Sequence, residues 1–163
     1  MRIGITGHQR LEDPTAWAWV ASVIGDELTR AAPPLVGVTS LAVGADQLFV
    51  ELVLERGGVI HAVIPFADIE RTFSPEDLTV YRKLASQATI EILTTPGSDE
   101  DGYLAAGHRV VDLSDIVLAV WNGKPAKGKG GTADVVAYAI RQGVPLVRIN
   151  PILRIVQHLG KGQ

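Results

Sequence analysis

A continuous apolar run leads into a glycine-rich loop at Ile116-Val117-Leu118-Ala119-Val120-Trp121-Asn122-Gly123-Lys124-Pro125-Ala126-Lys127-Gly128-Lys129-Gly130-Gly131-Thr132. An apolar run of this length, without polar alternation, is typical of a strand that is buried on both faces of a parallel sheet. Residues 132–142 then have the spacing of an amphipathic helix. The stretch therefore predicts a strand, a loop at its carboxyl end, and a helix.

The same alternation recurs along the whole chain. It predicts strands at residues 2–6, 35–39, 59–64, 89–93, 116–121 and 146–149, and helices at 14–30, 45–56, 75–86, 103–113 and 132–142. Strands that alternate with helices of this length require right-handed crossovers and a parallel sheet covered on both sides. We expect an α/β fold, with residues 1–163 forming a single Rossmann-like domain. Its doubly wound parallel sheet has about six strands, with helices on both faces.

The composition is that of an ordinary globular protein. The 163 residues are 47% hydrophobic and 20% charged, as in an ordinary globular domain, which excludes a disordered or collagen-like chain. The net charge of -3 gives no general attraction to polyphosphate or to anionic lipid, so we do not expect nucleic acid or a membrane as the partner. The absence of cysteine fits a reducing compartment, and no apolar leader follows Met1, so we expect a cytoplasmic protein.

The same sequence gives no indication of a metal or a resident cofactor. The four histidines are scattered without metal-ligand spacing, and we therefore predict no metal site and no cofactor. No Gly-x-Ser-x-Gly turn is present either, so a serine-hydrolase mechanism has no support.

Candidate binding residues follow the predicted strands. In open parallel sheets, ligands bind beyond the carboxyl ends of the strands, so these segments are expected to converge at one edge. The predicted ligand-binding residues outside the glycine-rich loop are Gly7, His8 and Arg10 after the first strand, Ser40, Gly44, Ala45, Asp46 and Gln47 after the second, Pro65 and Phe66 after the third, and Trp121 at the end of the fifth. For two of them an ordinary surface role is equally open. Asp46 could simply face the dipole of its helix, and Arg10 could pair with a neighbouring acid.

The glycine-rich loop is the strongest candidate for an anion site. Its glycines let backbone amides converge, and the following helix adds positive potential at its amino terminus. We therefore expect Lys129, Gly130, Gly131 and Thr132 to bind phosphate, with Lys127 beside them. Gly130 stands where a nucleoside-triphosphate loop requires Ser or Thr to hold magnesium, so triphosphate hydrolysis is not expected. The alternative is a solvated loop in which Thr132 caps the helix.

Arg109 is a further candidate for a phosphate contact. Its guanidinium could bind phosphate bidentately if the fourth helix leans over the sheet edge. Pairing within that helix, with Asp112 three residues on, explains Arg109 equally well.

Together these blocks resemble a known superfamily. Residues 5–10, 40–47, 63–66, 111–115, 119–123 and 130–134 are similar, in this order, to the Smf/DprA-LOG (SLOG) superfamily of Rossmann-like proteins. That superfamily joins the DprA/Smf proteins, the LOG phosphoribohydrolases and the YpsA-like proteins. The similarity is closest to the YpsA-like and small actinobacterial-type members.

The resemblance implies a pocket for a nucleotide or nucleotide derivative, with the phosphate at Gly130, Gly131 and Thr132. In LOG enzymes the matching loop ends in a catalytic Glu three residues after the Thr, but here that position is Val135. Asp134 is the nearest carboxylate, and Asp134 or Asp46 would serve if catalysis occurs.

Whether the protein is an enzyme stays open at this point. The first hypothesis is a nucleotide sensor or carrier, and the second is a LOG-like hydrolase of an N-glycosidic bond in a nucleoside monophosphate. The third is single-stranded DNA binding in the manner of DprA, which the net charge and the few aromatic residues disfavour. Relatives of this kind commonly pair, so we expect a homo-oligomer, most simply a dimer.

Overall fold

A computed structural model describes residues 1–125 and 128–160 of the chain. The strands are β1 (Arg2–Gly7), β2 (Val36–Thr39), β3 (Val59–Ile64), β4 (Ala88–Ile92), β5 (Ile116–Val120), β6 (Leu146–Asn150) and β7 (Ile155–Leu159). The helices are α1 (Ala16–Thr29), α2 (Ala45–Glu55), α3 (Pro75–Ala85), α4 (Asp99–Asp112) and α5 (Thr132–Gln142), with a short 3₁₀ helix at Ile69–Thr72. The predicted α/β alternation is confirmed.

All strands belong to one sheet in the order β4-β3-β2-β1-β5-β6-β7. The first six strands are parallel, as predicted, while β7 turns back antiparallel to β6 with Asn150 opposite Ile155. The prediction of about six strands therefore missed β7. Its residues are mostly exposed, so it lacks the continuous burial that marks the other strands.

Helices cover both faces of the sheet, which makes the fold doubly wound. One face packs against α1, α2 and α3, in a core that includes Ile24, Phe49 and Leu84. The other face packs against α4 and α5 through Val110, Val135 and their neighbours. This arrangement is the predicted Rossmann-like architecture.

Helix α4 begins four residues before the predicted position at 103. Ser98 caps it, because its hydroxyl accepts a hydrogen bond from the Asp101 amide while the Asp101 carboxylate accepts one from the Ser98 amide. This capping box satisfies two backbone donors that would otherwise lack partners. The acidic first turn, with Asp99 and Glu100, also faces the positive end of the helix dipole.

The order of the strands reverses between β1 and β5. From β1 the chain proceeds outward through β2, β3 and β4, and it then returns to place β5 on the other side of β1. A crevice forms at such a reversal because the loops that leave the two central strands diverge to opposite faces. The fold therefore places the candidate site beyond the carboxyl ends of β1 and β5.

Candidate functional site

A cavity of about 750 Å³ opens at this edge of the sheet. It is enclosed by the loops that follow β1, β2, β5 and β6 and by one side of α4. Of the predicted ligand-binding residues, those that line it are Gly7, His8, Arg10, Ser40, Asp46, Trp121, Lys129, Gly130, Gly131 and Thr132. The volume is within the range of small-molecule sites in proteins.

His8 ties the central strands and α2 together at the floor of the cavity. Its amide donates to the Val120 carbonyl (3.1 Å), and its own carbonyl accepts from the Ala45 amide (3.2 Å). The Asn122 amide donates to Nε2 of His8 (3.1 Å), so the ring is neutral and carries its proton on Nδ1. Burial lowers the pKa of His8, which agrees with a neutral ring.

Two glycines permit this close packing. A Cβ at Gly7 would lie 2.6 Å from the Cβ of Ala45 and 2.8 Å from that of Val120. Gly44, which caps α2, has φ of 90°, and a Cβ there would collide with the backbone of His8 and Gln9. Gly44 and Ala45 thus support the floor of the cavity from behind and do not line it.

Asp46 is a buried carboxyl group at the cavity wall. Its Oδ2 accepts hydrogen bonds from the Thr39 hydroxyl (2.8 Å) and the Ser40 amide (3.0 Å). Burial nevertheless raises the pKa of Asp46 to about 6, because loss of water penalises the charge more than these bonds favour it. Asp46 can therefore exchange a proton close to neutral pH.

The turn before Asp46 holds its backbone in a strained form. Leu41 has φ of 58°, which branched and bulky side chains rarely adopt, and its side chain is fully buried. The Leu41 amide donates to the Thr39 hydroxyl (3.0 Å), and the Gln47 side-chain amide donates to the Leu41 carbonyl (3.3 Å). Gln47 thus fixes the turn and lies outside the cavity lining.

The loop before α5 presents backbone amides to the cavity. Within the described residues, the amides of Gly131, Thr132 and Ala133 donate to no protein acceptor, and all three residues line the cavity. Gly131 precedes the first helical residue, Thr132, so the cap of α5 is Gly131 and not Thr132. Free amides at a helix amino terminus form an anion-binding arrangement.

Asp134 has a structural contact in this loop. Its Oδ2 accepts a hydrogen bond from the Gly130 amide (3.0 Å), and Asp134 does not line the cavity. Gly130, with φ of 78°, packs against the backbone of Tyr103 and Leu104 on α4. The Asp134 carboxylate therefore ties the loop to α5, while close packing at Gly130 sets the loop against α4.

The cations at the cavity rim are mostly exposed and partly paired. Lys129 Nζ donates to Asp101 Oδ1 on α4 (3.3 Å), and Arg10 lies 4.0 Å from Asp77. Lys124 also lines the cavity, and its carbonyl accepts the indole N–H of Trp121 (2.8 Å). Lys127, which was expected beside the phosphate, lies outside the described residues.

Three predicted ligand contacts lie away from the cavity. Pro65 and Phe66 pack against Gly102 of α4, with the Phe66 ring edge-on to Tyr103. Arg109 lies outside the cavity lining and donates through Nε to Glu91 of β4 (2.8 Å) rather than to Asp112 of its own helix. The structure therefore brings together residues from β1, β2 and the loop before α5, but not those from β3.

Sequence reasoning missed part of the lining. Tyr103, Ala106 and Val110 contribute an apolar wall from α4, which only the packing of that helix reveals. Pro151 and Ile152 were also missed. Pro151 directly follows β6, so the rule that strand ends carry ligand contacts could have found it.

Within residues 1–125 and 128–160, no group of His, Asp or Glu side chains is arranged to hold a metal ion. No helix in this part of the chain is both long and apolar enough to cross a bilayer.

Comparison with known proteins gives matches only to solved structures. No family model matches the chain, and neither does any curated protein sequence. DNA processing protein A (DprA) from Helicobacter pylori, described for its single-stranded DNA binding mode, matches with a TM-score of 0.66 at 18% identity over 91% of this chain and 64% of that protein. DprA from Streptococcus pneumoniae matches with the same TM-score and identity, over 90% of this chain and 49% of that one.

A third match is the protein TM1055, with a TM-score of 0.57 and 15% identity over 89% of this chain and 71% of that one. The chain spans less than two thirds of the length of either DprA protein. The chain thus has the Rossmann-like fold of the DprA and TM1055 structures, as the resemblance to the SLOG superfamily implies, while the similarity to YpsA-like members stays a prediction.

Proposed function

We propose that the chain is a nucleotide-binding domain that holds a nucleotide or nucleotide derivative in the cavity at the carboxyl edge of its sheet. The observation that carries this proposal is that Gly131, Thr132 and Ala133 line a cavity of about 750 Å³ and that their amides have no acceptor among the described residues. A phosphate group would accept their hydrogen bonds and would meet the positive end of the α5 dipole.

The rest of the cavity suits the remainder of a nucleotide. Tyr103, Ala106 and Val110 offer an apolar surface for a base, and Trp121 offers an aromatic one. His8, as a neutral ring with its proton on Nδ1, and Asp46 supply polar groups that suit ribose hydroxyls. The cavity thus offers donors for a phosphate, polar groups for a ribose and an apolar or aromatic surface for a base, which are the three parts of a nucleotide.

The first test identifies a ligand directly. Mass spectrometry of small molecules released from freshly purified, denatured protein should detect a phosphorylated nucleoside. A thermal-shift panel of nucleoside monophosphates, ADP-ribose and dinucleotides should raise the melting temperature, because a ligand that binds only the folded state stabilises it. If no compound is released and no phosphorylated compound shifts the transition, the proposal fails.

A substitution at Thr132 tests the phosphate contact itself. Thr132→Pro removes one free amide, and proline is tolerated at the first helical position, where Gly131 already has an extended backbone. Thr132→Val is the matched control, because it removes the hydroxyl and keeps the amide. We expect Thr132→Pro to weaken nucleotide binding roughly tenfold or more, the effect of one lost charge-assisted hydrogen bond, and to leave nucleoside binding unchanged. Equal affinity for the nucleotide in the two variants would exclude the amide contact.

Hydrolysis of an N-glycosidic bond is a second candidate function, supported by Asp46. Asp46 lines the cavity and has a pKa near 6, so it can donate a proton to a departing base, whereas Asp134 is turned to the loop backbone. Release of free base from nucleoside monophosphates by the wild-type protein and not by Asp46→Asn would support this activity. Release by both would exclude Asp46 as the acid.

Single-stranded DNA is a third candidate ligand, and the fold shared with DprA is its main support. Arg10, Lys124 and Lys129 line the cavity and could contact a backbone phosphate. A salt-titrated oligonucleotide binding assay tests it, because affinity carried by phosphate contacts falls steeply with salt. No binding at low salt would remove this candidate.

A further inference from the structure

Strand β7 is an open edge of the sheet. Within the described residues it pairs only with β6, so its outer side has no strand partner. Proteins usually protect such edges with charged residues or proline, because unpaired backbone groups can recruit another strand. The sequence of β7 is Ile155-Val156-Gln157-His158-Leu159, which contains neither a formally charged residue nor proline.

The opposite edge of the sheet is built differently. There β4 carries Glu91, whose carboxylate binds His61 of β3 (2.7 Å) and Arg109 of α4 (2.8 Å). A second copy that paired with β4 would meet these charged groups. The β4 edge thus carries charged groups that disfavour pairing with another strand, whereas the β7 edge carries none.

The exposed apolar residues of β7 are Ile155 and Leu159, which lie at its two ends and on one face. Side chains alternate along a strand, so Ile155, Gln157 and Leu159 share a face. Ile155 is 47% exposed and Leu159 is 40% exposed. On α5, Ile140 is 58% exposed and lies about 200° around the helix from Tyr138, which stacks on His108 of α4. Ile140 therefore faces away from α4 and into solvent.

This pattern is self-complementary about Gln157. We propose that β7 pairs antiparallel with β7 of a second copy of the chain, about a two-fold axis through Gln157, to form one continuous sheet. In this register Ile155 lies opposite Leu159 of the second copy, and Leu159 lies opposite its Ile155. Each exposed apolar residue thereby gains an apolar cross-strand neighbour, and the arrangement closes as an isologous dimer.

The other face of β7 is consistent with the same register. Val156 lies opposite His158 of the second copy there, and His158 Nε2 already contacts Glu27 of α1 (3.1 Å). No like-charged residues are brought together along the five positions of β7. The interface continues the backbone hydrogen bonding of the sheet, which is the recognition mode of strand addition.

The chain contains no cysteine, which makes single-cysteine crosslinking a clean test. The register places Gln157 opposite itself, with Cα atoms about 4.5 to 5.5 Å apart, inside the range that a disulfide spans. Gln157→Cys should therefore form a covalent dimer on mild oxidation. Ile92→Cys, at a 51% exposed position on the β4 edge, is the matched control and should stay monomeric on a denaturing gel.

The register gives a second expectation. Ile155→Cys alone and Leu159→Cys alone should crosslink poorly, whereas a mixture of the two variants should form the mixed dimer. Equal crosslinking of all cysteine variants, or none at Gln157→Cys, would overturn the proposed pairing.

Sedimentation equilibrium of the otherwise wild-type protein completes the test. We expect a concentration-dependent dimer that Ile155→Lys weakens roughly tenfold or more, since the ammonium group would lie against Leu159 of the second copy without a partner. A wild-type protein that stays monomeric at high concentration would overturn the proposal. So would a dimer that Ile155→Lys leaves intact, because it would use another surface or bind another strand.

Discussion

Replacement of Asp46 by Asn is expected to change how the stability of the protein depends on pH. In the unfolded chain this carboxyl loses its proton near pH 3.8, whereas burial in the folded protein raises its pKa to about 6. The folded state therefore binds more protons than the unfolded state between these values, so the contribution of Asp46 to the free energy of unfolding falls as the pH rises.

The magnitude follows from the difference in pKa. A shift from 3.8 to about 6 corresponds to roughly 3 kcal/mol at about 1.36 kcal/mol per unit. This loss is complete above about pH 7 and absent below about pH 3. Asparagine is neutral throughout, so the stability of Asp46→Asn relative to wild type should rise by roughly 2 to 3 kcal/mol between about pH 4 and pH 7.5.

Urea unfolding followed by tryptophan fluorescence measures this difference. Trp17 and Trp19 are half-buried on α1 and report the loss of the core. The comparison with wild type at each pH removes the titration of every other group, as well as any fixed cost of fitting asparagine at this position. Asp26→Asn, at an exposed position of α1, is the control and should track the wild type at every pH.

A difference in the free energy of unfolding between Asp46→Asn and wild type that stays constant within about 0.5 kcal/mol across this pH range would contradict a raised pKa for Asp46. It would mean that Asp46 ionises in the folded protein as an exposed carboxyl does. In that case Asp46 could not serve as an acid near neutral pH, and the hydrolase candidate would lose its support.

Three further predictions concern the floor of the cavity, at Gly44 and His8, and the β4 edge of the sheet, at Glu91. Gly44→Ala should destabilise the protein by roughly 2 to 4 kcal/mol in urea unfolding, since it combines positive φ with a backbone collision, whereas Gly57→Ala, with open space at positive φ, should cost only about 1 kcal/mol. His8→Ala leaves the Asn122 amide without its acceptor and should cost about 1 to 3 kcal/mol at neutral pH. Because burial lowers the pKa of His8, this cost should shrink as the pH falls below about 6.5, and a cost that grows would contradict the neutral ring. Glu91→Gln should cost at most about 1 kcal/mol, since the pairs are partly exposed, and high salt should reduce the effect. Since Arg109 and then His61 lower the pKa of Glu91, this contribution is present at neutral pH and is lost in acid.

The parallel sheet could be predicted because its strands are buried on both faces and therefore form continuous apolar runs. Strand β7 was not predicted, because one side of it is open to solvent and its sequence mixes Gln157 and His158 with apolar residues. The start of α4 was predicted four residues too late, because its acidic first turn has the composition of a loop. The spacing of Ser98 and Asp101 was the available signal for that helix end.

The position of the cavity could also be predicted, because parallel strands deliver their following loops to one edge. The contacts of individual side chains could not be predicted. Arg109 binds Glu91 and Phe66 packs on Gly102, and both pairings join residues that are distant in sequence. Asp134 illustrates the same limit, since its contact with the Gly130 amide depends on how the loop folds back on α5.

The proposed phosphate contact can be tested most directly by titration of ¹⁵N-labelled protein with a nucleoside monophosphate, read at single backbone amides. We expect saturable shifts that are largest at Gly131, Thr132 and Ala133, with smaller ones at His8 and none at Gly57. The same nucleoside without phosphate should leave the α5 amides unmoved. Saturable binding with its largest shifts elsewhere, or no shift at millimolar nucleotide, would contradict the phosphate contact.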